Sequence, residues 1–121
     1  MPRFMSLIRI DEQHPFPEPD PEFEKRMGAL FEEITKAGVM LETAGLAPTS
    51  QGTRVTWSGG KLSRTDGPFT ETKEVVGGYA ILQVKDEEEA LEWTRRFLRT
   101  HPESWTVTSE VRRIDEGTPG A

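Results

Sequence analysis

The chain has 121 residues, of which 34% are hydrophobic and 30% charged, with no cysteine and a formal net charge of −6. That length fits one domain around one thin core, and the missing thiols exclude disulfides, zinc–thiolate sites, Fe–S clusters and cysteine nucleophiles. Lys and Arg are scattered among acids, unlike the basic face of a nucleic-acid binder; no apolar run reaches the roughly 20 residues of a membrane span, and Met1–Ile8 is too short for a signal peptide, so a cytoplasmic location is expected.

Phe4–Ile10 reads as a first strand, apolar on both faces for most of its length, as in a central strand. Asp11–Pro21 follows, with four prolines, as a stiff exposed loop. Asp20 and Pro21 open a helix: the carboxylate accepts a free amide proton, and proline fits the first helical position. Phe23, Met27, Leu30, Phe31, Ile34 and Ala37 recur at helical spacing as its buried face. Glu22 with Arg26, and Glu32 with Lys36, stand four apart on the wet side, and Gly38 closes the helix. Val39–Leu46 is a second strand, ended before Pro48. Thr53–Ser58 and Lys61–Thr65 flank Gly59-Gly60 as a hairpin, with Val55 and Trp57 on one face. Gly77-Gly78 ends the next connection, and Tyr79–Val84 is a strand. Asp86 caps a second helix with an inner stripe of Ala90, Leu91, Trp93, Thr94, Phe97 and Leu98. Its Arg95, Arg96 and Arg99 lie among Glu87, Glu88, Glu89 and Glu92, a solvated mixed-charge face. His101-Pro102 stops it. Trp105, Val107 and Val111 alternate with polar residues in a last strand, and residues 115–121 are expected to fray.

This order predicts an α+β fold: a ferredoxin-like βαβ–hairpin–βαβ protomer, with an antiparallel sheet and both helices on one face. A single domain spans 1–121, its core about 3–114. The bare sheet face then needs a cover, and the sheet of a second copy supplies it economically, so a homodimer is expected.

The most distinctive segment is Thr65-Asp66-Gly67-Pro68-Phe69-Thr70-Glu71-Thr72-Lys73-Glu74-Val75-Val76-Gly77-Gly78-Tyr79. Asp66-Gly67-Pro68 is turn chemistry: Asp bonds the backbone ahead of it, Gly relieves strain, and Pro fixes φ. Phe69 can then fold back as an anchor. The segment resembles the DGPF-domain proteins of the YCII-related group. The likeness continues through the Asp86–Trp93 helix start, the first strand, Ala37-Gly38-Val39 and Gly45-Leu46, and so covers about Phe4 to Ile114. The resemblance implies a dimeric α/β barrel, in which two ferredoxin-like sheets face each other, and a cleft near the signature. It implies no particular reaction. Some members are encoded beside, or fused to, sigma-70-like transcription regulators, which makes a sigma-factor-type partner an expectation of family context.

Five residues are candidates for a site. Asp66 and Lys73 are candidate catalytic groups, a carboxylate base and a proton-transfer partner whose pKa neighbouring acids can shift. His14, Glu71 and Tyr79 are candidate ligand-binding groups for a small polar molecule. Each also has a plainer reading: a turn-capping Asp, a solvated charged loop, an exposed loop His, a core Tyr. His14 and His101 lack metal-site spacing, so no metal is expected. No dinucleotide fingerprint or phosphate-cradling loop is present, and no cofactor is expected. Two functions fit: a homodimeric small-molecule-binding or regulatory accessory module, and a cofactor-free acid–base enzyme with Asp66 at its cleft.

Overall fold

A computed structural model describes residues 1–117. It contains β1 (Arg3–Ile10), α1 (Pro21–Lys36), β2 (Met40–Gly45), a 3-10 turn (Thr49–Gln51), β3 (Thr53–Ser58), β4 (Lys61–Asp66), β5 (Val75–Gln83), α2 (Glu87–Arg99) and β6 (Thr108–Arg113). Four strands form an antiparallel sheet in the order β2-β5-β1-β6, and β3 and β4 form a separate two-stranded sheet. β1-α1-β2 and β5-α2-β6 interlock as two split βαβ units, the ferredoxin-like arrangement that the element order predicts.

Phe4, Ile34, Val39, Leu82, Val84 and Ala90 make the buried core. Phe4 lies opposite Leu82 in the β1–β5 ladder, so the face they share meets Ile34 of α1 and Ala90 of α2, and both helices lie on it. The two-residue period of a strand sends Met5, Leu7, Tyr79 and Ile81 to the opposite face. No helix covers that face among the described residues, and these four side chains stay partly exposed.

The helix starts follow their caps. The Asp20 carboxylate accepts from the Phe23 N–H at 2.7 Å. Asp86 accepts from the Glu89 N–H, and Glu89 reaches back to the Lys85 N–H, both at 2.9 Å. Lys36 pairs with Glu32 at 3.2 Å. Arg26 departs from the expected wet-side pair with Glu22. Its Nε donates to the Thr100 carbonyl at 3.0 Å, at the end of α2, where carbonyls lack helical partners. Gly59 and Gly60 turn the β3–β4 hairpin with φ of 58° and 75°, the left-handed pair that a two-residue turn requires.

Two boundaries differ from the sequence expectation. β5 begins at Val75, so Gly77-Gly78 lies inside the strand. The register slips there, from Ile8 opposite Gly78 to Arg9 opposite Val76, which leaves Gly77 as the extra residue of a bulge. Paired glycines read locally as punctuation, but ladder bonds to β1 and β2 on both sides override that signal. β6 begins at Thr108, because Trp105 belongs to an aromatic cluster and not to the sheet. Its ring stacks on Phe16 at 4.7 Å and tilts against Phe23 at 5.1 Å, with His101 edge-on to Phe97 at 4.9 Å. The stack pins the proline-rich loop at Phe16. At the C-terminal end Glu116 pairs with Arg3 at 2.6 Å; residues 118–121, the rest of the segment expected to fray, lie outside the described residues. No described helix is long and apolar enough to cross a membrane.

Candidate functional site

After Asp66 the chain runs tight against the Thr49–Gln51 turn. The Gly67 N–H donates to the Gly52 carbonyl at 2.9 Å. A Cβ on Gly67 would fall 1.6 Å from the Thr49 carbonyl oxygen, so only glycine fits. The Phe69 N–H donates to Thr49 Oγ1 at 3.2 Å. Arg54 lies 3.8 Å above the Phe69 ring centroid and pairs with Glu71. From the other side, Glu12 binds Thr49 twice, accepting from its backbone N–H at 2.8 Å and from its hydroxyl. Gln13 Nε2 donates to the Thr70 carbonyl at 3.0 Å. The signature thus joins the 3-10 turn and the start of the proline-rich loop into a latch. The latch fixes the base of the β3–β4 arm, and Phe69 is the anchor that the turn chemistry predicts. Glu12, Gln13, Thr49 and Arg54 carry no local sequence signal, because their partners come from distant segments, 57 positions apart for Gln13 and Thr70.

The five candidate residues fall into separate settings. Asp66 accepts from Arg64 Nε at 2.9 Å and from Thr53 Oγ1 at 3.1 Å, all within the arm. Glu71 is exposed; its own backbone N–H and then Arg54 hold its carboxyl below the usual range. His14 Nδ1 lies 2.8 Å from Asp11 Oδ2. That bond, then the Gln13 N–H, with a smaller contribution from the Lys73 charge, lowers the Asp11 pKa. His14 and Lys73 therefore gather around Asp11, whereas Asp66 and Glu71 have partners of their own. Tyr79 stands on the uncovered sheet face, where burial and then the neighbouring Glu42 carboxylate raise its phenol pKa.

A cavity of about 230 Å³ lies between the sheet and the helices. Its floor is Ser6, Ile8, Gly78, Ala80 and Leu82 of β1 and β5. Its roof is Leu30, Phe31 and Ile34 of α1 with Trp93, Thr94 and Phe97 of α2. Met40, Thr43, Ala44 and Gly45 of β2, with Gly77 and Tyr79, complete the lining. The space exists because small residues on the sheet, Ser6, Gly78 and Ala80, sit beneath bulky ones on the helices. The hydroxyls of the wall are already engaged. Thr43 Oγ1 donates to the Tyr79 carbonyl and Thr94 Oγ1 to the Ala90 carbonyl, each at 2.9 Å, and Ser6 is bonded to Ser109. The cavity therefore offers mainly apolar surface, with its Ser and Thr hydroxyls in bonds to the protein. Of the five candidates Tyr79 alone borders it, and its side chain points to the opposite sheet face.

Residues 3–111 match the YCII-related domain family. The chain belongs to that family. The matched span of this YCII-related protein runs from the first residue of β1 into β6 and includes the latch and nearly all of the sheet. The membership that the signature suggested is correct. A protein of Rhizobium meliloti (strain 1021), "Uncharacterized protein R00369", is 30% identical over 103 residues, which is 85% of this chain and 82% of that relative. Nearly whole chains are thus compared.

Proposed function

We propose that this YCII-related protein is a homodimeric small-molecule-binding module whose ligand occupies the cavity between sheet and helices. The observation that carries the reading is the lining: aromatic and aliphatic side chains around about 230 Å³, with the Ser6, Thr43 and Thr94 hydroxyls already bonded within the protein. An apolar cavity of about 150 Å³ stays dry and takes benzene. The larger space here suits an uncharged single-ring molecule or a short branched chain. A polar ligand would lose hydrogen bonds to water and regain few of them from this wall. The dimer is supported by the uncovered face of Met5, Leu7, Tyr79 and Ile81 and by a core of few buried side chains.

Titration calorimetry with toluene, indole and benzoate tests the reading. Toluene and indole are expected to bind, and benzoate at least about tenfold more weakly, because its charge gains no partner. Ala80→Leu, which raises the floor, is expected to abolish binding while keeping the far-UV spectrum. No binding of either neutral ring to the wild type, or unchanged binding to Ala80→Leu, would refute it. The acid–base alternative has less to support it. Arg64 and Thr53 engage the Asp66 carboxylate within the arm, and Asp66 does not line the cavity. Asp66→Asn is expected to fold and to leave the toluene titration unchanged.

A further inference from the structure

Apart from Met1, the most exposed large apolar side chains among the described residues are Leu62 at 70% and Val55 and Trp57 at 69%. All three belong to the β3–β4 arm. Trp57 pairs with Leu62 and Val55 with Arg64 across the hairpin, so the three apolar groups share one face. A two-stranded hairpin is marginal by itself in water, yet the latch holds the base of this one in place. The arm is also the basic part of an acidic molecule: Arg54, Lys61 and Arg64 stand against Asp66 alone, in a chain of net charge −6.

A second unpartnered apolar surface is the bare sheet face of Met5, Leu7, Tyr79 and Ile81, with Glu42 at its edge. Area argues that the two belong together. The arm face leaves uncovered on the order of 300–400 Å², whereas a stable dimer covers roughly 800 Å² per partner. The arm face does not suffice alone. A two-fold axis lets each arm meet the other copy's sheet face at once, because such an interface repeats every contact reciprocally. We propose that the Val55–Trp57–Leu62 face of the arm docks on the sheet face of a second copy of this chain, with Arg64, which lies opposite Val55 on that same face, toward that copy's Glu42. The two arms clasp the dimer from opposite sides.

This rests on the dimer named above, and the test separates the two. Sedimentation equilibrium is run on wild type, Trp57→Glu and, as a second variant, Leu62→Ser, with circular dichroism to verify folding. The replaced side chains are solvent-exposed in the single chain, so both variants are expected to fold. Wild type is expected to be dimeric at micromolar concentration, and Trp57→Glu to dissociate at least about thirtyfold more readily. A wild-type dimer that both variants leave unchanged would overturn the clasp and keep the dimer. A monomeric wild type would overturn clasp and dimer together and leave the cavity reading standing.

Discussion

A Cβ at Gly67 would lie 1.6 Å from the Thr49 carbonyl oxygen, whereas one at Gly28, on α1, would meet nothing within 4 Å. Replacement by alanine should therefore have opposite signs at the two sites. Gly67→Ala is expected to cost about 3 kcal/mol through backbone displacement, and Gly28→Ala to add about 0.5–1 kcal/mol by removing a flexible residue from a helix. Urea midpoints of the two variants measure this. Glu12→Gln should cost about 1–2 kcal/mol, since a charged acceptor of two Thr49 donors becomes a neutral one. Of these residues Gly67 stood out in the sequence, because Asp-Gly-Pro announces a turn. Glu12 did not: a carboxylate followed by prolines looks like any solvated loop residue, and its value comes from a turn that folds against it from far along the chain.

At the scale of elements, the caps and the ion pairs between segments give separable effects. Asp20→Ala and Asp86→Ala are each expected to lower stability by about 1 kcal/mol, measurable by thermal unfolding, because each leaves a first-turn N–H unbonded. Asp11, Glu33, Glu71 and Glu116 all have lowered pKa values, from His14, Arg96, their own backbone and Arg54, and Arg3 in turn. A carboxylate with a lower pKa in the folded state stabilises the fold above its unfolded value and ceases to do so as pH falls through the folded one. Melting temperature should thus fall on the acid side of the carboxylate range, less steeply in Glu33→Gln. Salt should weaken the effect, since these groups are exposed. Helix positions were legible from caps and stripes such as Asp20-Pro21 and Asp86 with Ala90, Thr94 and Phe97. The start of β5 was not, because Gly77-Gly78 resembles a break unless both neighbouring strands are known. Trp105 was misplaced for a similar reason: its alternation with Val107 fits a strand, but stacking on Phe16 decides its position.

Across the whole molecule, strand order and the single helix-covered face follow from the element sequence, and the structure agrees with both. The cavity could not be read in that way. It arises from a mismatch between small side chains on β1 and β5 and large ones on two helices, and only the three-dimensional register shows which residues oppose each other. Its apolar character is testable through stability. Ala80→Leu, which adds apolar contact in empty space, should not lower the melting temperature if the site is vacant and apolar, and it should remove any increase that toluene produces in the wild type.

The central place of β1 has a consequence for the making of the chain. Its ladder partners are β5 and β6, and Phe4 pairs with Arg113. Of the described strands, the first in the sequence is thus completed by the last. Until residues beyond Val75 emerge, both edges of Arg3–Ile10 present unpaired backbone and apolar side chains to the cell. Stalled nascent chains ending near Gly60 should be cut readily by protease, whereas the released 121-residue chain resists. Protection should therefore come late and in one step, not accumulate with length.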